Sequence, residues 1–190
     1  MTRTYTLKKR AEQQAETRQR IVEAAFELHS TVGPSETTLS MIAEKAGVQR
    51  HTLYAHFPDE RSIFQACSAE AHERDPSPTA EAWRGIPDRT ERLTAALTDI
   101  YGWYARNASL LSNVVRDVDR HPMVQEIQKA RAPVVQGWRD VLGEGFSSDQ
   151  RAMLFIALSF FTWRTLTQQA GVKQAAAVTL MVEAVLNAAA

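Results

Sequence analysis

The chain has 190 residues, enough for one sizeable domain or for one small and one medium domain. Its 44% hydrophobic and 23% charged content is that of an ordinary globular protein, and a formal net charge of zero excludes the global basic field that many nucleic-acid binders carry. A lone cysteine, Cys67, excludes an intramolecular disulfide and, with no Cys-x-x-Cys pair, argues against structural zinc.

Positive charge gathers locally at the start, where Arg3, Lys8, Lys9, Arg10, Arg18 and Arg20 face only Glu12 and Glu16. With no apolar run behind these residues, no signal peptide is expected, and a reducing cytoplasm is the expected setting. Ile21, Ala25, Leu28 and Val32 then recur at helical spacing until Gly33-Pro34 stops the helix. A short helix follows from about Thr38, a suitable N-cap, to Ala46. Gly47 breaks it, and a second short helix runs from about Gln49 to His56. Asp59 caps a helix continuing to about Arg74. Residues 75–88, with Asp75-Pro76-Ser77-Pro78 and Ile86-Pro87-Asp88, read as a linker around one short turn at Trp83.

Longer helices make up the rest. Asp88 and Glu91 form a capping box for a helix to about Arg106, and Asn107 caps the next, to about Arg120. Pro122 opens a helix to Leu142. Ser147 with Gln150 opens a long helix closing at Gly171, and the last helix runs from about Lys173 to Ala189. No strand alternation occurs. The expectation is an all-α fold of about nine helices, divided into residues 1–74 and 75–190. The most apolar stretch, Ala152 to Trp163, is bounded by Arg151 and Arg164 and is too short to span a bilayer, so no membrane partner is expected.

Residues 38–57 carry the pattern of a DNA-reading helix-turn-helix. Gly47 supplies the turn, and Ile42, Ala43, Val48 and Leu53 are small or branched enough for close helix approach. Gln49, Arg50, His51, Thr52 and Tyr54 present polar groups outward within about a turn and a half. These residues, with Arg20-Ile21-Val22-Glu23-Ala24-Ala25-Phe26 ahead of them and Leu53-Tyr54-Ala55-His56-Phe57 at the end, resemble the TetR (tetracycline repressor) family of transcriptional regulators over about residues 17–64.

The resemblance implies an all-helical homodimer. Each subunit would have a three-helix DNA-binding head and a helical body for effector binding and dimerisation. It implies a phosphate contact by Thr38, base reading by Gln49, Arg50 and His51, and mainly backbone contacts by Thr52, Tyr54 and His56. Arg50 is the best guanine reader, because its fork matches two acceptors. Two positions depart from the family. His51 stands where many members have a small residue. Glu60 stands where many have a phosphate-clamping Lys, so Arg61 is the expected substitute. Lys8, Lys9 and Arg10 either add DNA contacts or form a solubilising tail.

Aromatic residues cluster in the second half. Trp103, Tyr104, Trp138, Phe155 and Trp163 are candidates for an effector pocket, or else core. Asn107, Ser159 and Thr162 either orient a ligand or serve as helix caps and back-bonding hydroxyls. The implied effector is small and apolar or aromatic. The last two helices are apolar on more than one face, which fits a two-fold interface using Ile156, Phe160, Met181 and Val185, or burial within one subunit.

No HExxH, GxSxG or P-loop motif occurs, and His29, His51, His56, His72 and His121 are scattered. No enzymatic activity, metal or cofactor is expected. The whole reading is a regulator, most simply a repressor, that binds double-stranded DNA at a palindromic operator as a homodimer and is released by its small-molecule effector. Activation, or DNA binding without effector control, is the alternative.

Overall fold

A computed structural model describes residues 2–188, with side-chain detail beginning at Leu7. Arg3's side chain and Ala189 therefore lie outside the described residues. The helices are α1 (Thr2–Thr31), α2 (Leu39–Lys45), α3 (Arg50–His56), α4 (Glu60–Arg74), α5 (Glu81–Arg84), α6 (Arg89–Arg106), α7 (Ala108–Asp117), α8 (Pro122–Leu142), α9 (Ser148–Ala157), α10 (Phe160–Arg164) and α11 (Gln174–Leu186). No strand occurs among the described residues. The two helices beyond the expected nine come from the turn at Trp83, which is α5, and from a break in the expected 147–171 helix.

Two compact units result, one from residues up to Pro76 with Ser112–Gln128, the other from Ser77–Leu111 with the chain from Lys129 onward.

In the first unit α1 packs on α2 and α4, and α2 on α3. Their apolar faces form one core of Ile21, Ala25, Leu28, Ile42, Ala43, Leu53, Phe57 and Ile63. Val32 lies past the end of α1 and is 36% exposed, so it leaves the stripe that its spacing suggested. Thr38 Oγ1 accepts from the Met41 N–H at 3.2 Å and Asp59 Oδ1 from the Ser62 N–H at 2.7 Å, so both expected caps form. Gly47 has φ +65°. Its N–H reaches the Glu44 carbonyl and the Val48 N–H reaches the Ala43 carbonyl, the paired closure that ends a helix on a left-handed glycine. Gly33 (φ +105°, ψ 155°) occupies a region reserved for glycine. Around it, buried Asp117 accepts from the Ser35 N–H at 2.9 Å and from Arg116 Nε at 2.8 Å.

In the second unit α6 packs on α11, α5 and α10, and α11 on α9. Leu93, Ala96, Leu97, Ile100 and Tyr101 of α6 meet Ala177, Val178, Val182 and Val185 of α11 as buried faces. Asp88 caps α6 through the Glu91 N–H, and Ser147 with Gln150 closes a complete capping box on α9. The expected long helix breaks at Leu158-Ser159. Tyr101 donates its hydroxyl to the Ala157 carbonyl at 2.9 Å and Tyr104 to the Leu158 carbonyl at 2.7 Å. Ser159 restarts the chain as N-cap of α10, accepting from the Phe161 N–H. A five-residue π turn, Thr165–Gln169, follows. The last helix ends at Leu186, with Asn187 as its C-cap.

Candidate functional site

The sequence of α3 separates its two faces. Leu53 is 1% exposed and anchors the helix to the core, while Gln49, Arg50, His51 and Tyr54 stand exposed and Thr52 and His56 are half-buried. Gln49 occupies the N-cap position without capping through its side chain, which leaves the amide available. Among the described residues, Gln49, Arg50, His51 and Tyr54 make no side-chain hydrogen bond or ion pair within the chain. A short helix held by apolar contacts on one side and bearing unengaged donors on the other can meet a row of acceptors such as base edges and phosphates. Thr38 accepts in its cap but keeps its O–H to donate.

The positions flanking α3 are already engaged. Arg61 pairs with Glu126, and Glu60 Oε1 lies 3.6 Å from His121 Nε2. Glu60 therefore has a partner of its own at the position where a phosphate clamp was in doubt. Lys8, Lys9 and Arg10 are exposed on the first turns of α1, so this stretch is helix rather than an unstructured tail. Arg18 instead covers the Phe57 ring at 4.7 Å, and Arg20 Nη1 donates to the Ala46 carbonyl at 3.2 Å, bracing the base of the motif.

Behind the motif lies a buried polar pair that sequence reasoning did not single out. His29 Nδ1 is 3.3 Å from Cys67 Sγ, and the imidazole lies tilted at 4.8 Å against Phe64, which itself stacks at 4.8 Å on the His121 ring. Burial, reinforced by His121, pushes the His29 pKa down to about 4. Burial, reinforced by Glu70, pushes the Cys67 thiol up to about 12. Both groups are thus held neutral, and the protonated thiol is a poor nucleophile. No group of three metal-ligating side chains occurs among the described residues.

The expected effector residues scatter between core and surface. Trp138 is 2% exposed, donates Nε1–H to the Pro78 carbonyl at 2.9 Å and packs edge-on against Trp83 at 6.2 Å. Trp103, Tyr104 and Trp163 are buried together. Phe155 is 56% exposed beneath the Arg139 guanidinium at 4.5 Å. The three polar candidates serve the backbone: Asn107 Nδ2 donates to the Trp103 carbonyl, Ser159 caps α10, and Thr162 Oγ1 donates to the Ile156 carbonyl at 2.7 Å. A groove of about 490 Å³ opens instead among Thr79, Thr98, Asp99, Arg106 and Gln174, none of them singled out from sequence. Of the expected interface residues, Ile156 is exposed and Met181 half-buried, whereas Phe160 and Val185 are buried within the chain itself. Phe155, Phe161 and Leu180 are exposed apolar residues on the same helices or on α10 between them.

The profile of the family described as "Bacterial regulatory proteins, tetR family" matches residues 21–67. The HTH-type transcriptional regulator SrpR of Pseudomonas putida is 45% identical over 62 residues, which take in 33% of this chain and 29% of SrpR. The matched stretch thus spans less than a third of that relative's length. Among solved structures, a TetR-like transcriptional regulator from Rhodococcus sp. RHA1 superposes with a TM-score of 0.66 at 20% identity, covering 90% of this chain and 93% of that one. The multidrug binding protein EbrR, complexed with imidazole, gives 0.58 at 17% identity, covering 88% of each chain. At these identities the structural likeness establishes the fold, and the head carries the sequence match. Residues 21–67 are thus similar in sequence to the DNA-reading segment of the tetR family of bacterial regulatory proteins, and the whole chain shares the fold of solved TetR-like regulators.

Proposed function

We propose that the chain is a ligand-responsive transcriptional repressor that binds a palindromic operator as a homodimer in the cytoplasm and releases it when a small apolar or aromatic effector binds. Residues 1–74 serve as the DNA-binding domain and 75–190 as the effector and dimerisation domain. The observation that carries this reading is the outer face of α3, where Gln49, Arg50, His51 and Tyr54 stand unengaged beside Thr38 in a head that matches DNA-binding relatives. Exposed Phe155, Ile156, Phe161 and Leu180 supply the apolar surface for a second copy.

In this mechanism the dimer sets two α3 helices roughly 34 Å apart in successive major grooves. Effector binding stabilises a dimer whose heads no longer match that spacing, and operator affinity falls by linkage. Retardation of the chain's own upstream DNA tests the reading. Wild-type protein retards a palindromic fragment, whereas Arg50→Ala loses about 1–3 kcal/mol of affinity with its unfolding midpoint unchanged. Full operator affinity in Arg50→Ala, with unaltered preference at every base pair, would remove Arg50 from the reading set.

A further inference from the structure

Three rings of the second unit form a row: Trp103 to Tyr104 at 5.6 Å and Tyr104 to Trp163 at 6.0 Å, with Phe160 edge-on to Tyr104 at 5.4 Å. One end of the row carries an arginine without a carboxylate partner, and the other a buried indole N–H without an acceptor. At one end the half-buried Arg131 guanidinium lies over Trp103, 5.0 Å from the ring centroid. No carboxylate among the described residues pairs with it, although Arg61, Arg74, Arg84 and Arg116 are all paired. Burial pushes its pKa down, the sign of a cation held away from water. At the other end Trp163 is 3% exposed and its indole N–H has no acceptor. The other core tryptophans differ: Trp83 donates to Asp99 at 2.8 Å and Trp138 to the Pro78 carbonyl. Between the two ends, the Tyr104 O–H is already given to the Leu158 carbonyl.

A ring face attracts a cation but supplies no counter-charge, and a buried donor without an acceptor is destabilising. A single guest with an anionic group and a flat apolar body answers both. Its oxygens take the two-pronged fork of the guanidinium, its body lies along the rings, and a further acceptor meets the indole. A neutral hydrocarbon answers neither.

We propose that the Trp103–Tyr104–Arg131–Trp163 cluster is the effector site and that its ligand is an organic anion, a carboxylate on an aromatic or aliphatic body. The proposal rests on the reading of the second unit as an effector domain and adds to it the charge of the effector and the residue that selects it.

The test uses the full chain and three acid and amide pairs: benzoate and benzamide, 2-naphthoate and 2-naphthamide, decanoate and decanamide. Binding is read by calorimetry, and operator retention is read in parallel. At least one acid is expected to bind at least about tenfold more tightly than its amide, as an added charge-assisted bond implies. Arg131→Gln removes that preference and Arg131→Lys keeps part of it. Trp163→Phe, which retains a ring and loses only the N–H, weakens the bound acid about three- to tenfold. Equal binding of acid and amide, or an acid preference that survives Arg131→Gln, overturns the proposal and leaves effector control standing. Unchanged binding in Trp163→Phe overturns the place given to the indole. If no acid or amide binds while operator retention is normal, the effector reading falls as well.

Discussion

The two units treat polar groups in opposite ways. In the first, the donors of α3 stand in water on the outer face of a helix whose inner face is sealed by Leu53. In the second, the polar ends of the large rings are buried, and most are tied to backbone or carboxylate: Tyr101 to Ala157, Tyr104 to Leu158, Trp83 to Asp99 and Trp138 to Pro78. An exposed unengaged donor costs almost nothing, because water satisfies it. A buried unengaged donor is destabilising until a guest arrives. Recognition of a polymer surface can therefore be carried by an ordinary solvated helix. A proposed small-molecule site would instead leave a local deficit inside a packed unit, such as the unanswered indole N–H of Trp163.

The sharpest way to break this comparison is to unfold one unit alone. All four tryptophans, Trp83, Trp103, Trp138 and Trp163, belong to the second unit, so indole fluorescence reports that unit only. Leu53→Ala removes a fully packed side chain from the first core and should cost it about 2–5 kcal/mol. Urea unfolding followed by helical circular dichroism is expected to show an early step that fluorescence does not share. Coincident transitions by both probes would show that the units unfold as one.

Acid should act on the first unit through His29. The unfolded imidazole takes its proton near pH 6.5 and the folded one near 4. Between these values the unfolded chain binds the extra proton, so stability falls as pH falls, by about 3 kcal/mol in all. His29→Gln should flatten this slope between pH 6.5 and 4, and an unchanged slope would show that the buried imidazole is not its source.

Gly33→Ala should cost about 1–3 kcal/mol, because a side chain is strained at φ +105° and a Cβ there would run into the Arg116 guanidinium. Chemical denaturation measures it, and a neutral result would mean that the Arg116–Asp117 clasp yields easily. Arg61→Ala removes only the exposed pair with Glu126, so its effect on stability should stay below about 1 kcal/mol. A larger loss would mark that pair as part of the packing of the first unit.

How far each unit could be read from sequence follows from the range of its interactions. Thr38, Gly47, Asp59, Asp88 and Ser147 act on residues within a turn of themselves, so composition and spacing announce them. The break at Ser159 was hidden, because the hydroxyls that answer its carbonyls come from Tyr101 and Tyr104, more than fifty positions away. Asn107, Ser159 and Thr162 looked equally suited to a ligand or to a helix end, and only the fold assigns them to the backbone. Arg131 gives no signal in the sequence. A lone arginine in a helix reads as solvated, and its lack of a carboxylate is a fact of three dimensions. Val185 and Phe160 carried the right apolar signal for an interface, but apolar periodicity does not distinguish a chain's own core from a partner's.

The burial of Cys67 gives this protein a built-in clock. It is the chain's single thiol, 5% exposed and held protonated beside His29, so a thiol reagent reaches it only when the first unit opens. The labelling rate of untouched wild-type protein then counts those openings one molecule at a time. Under the proposed function, any slowing of that rate on a DNA fragment measures how firmly the fragment holds the head shut, with no dye, tag or substitution introduced.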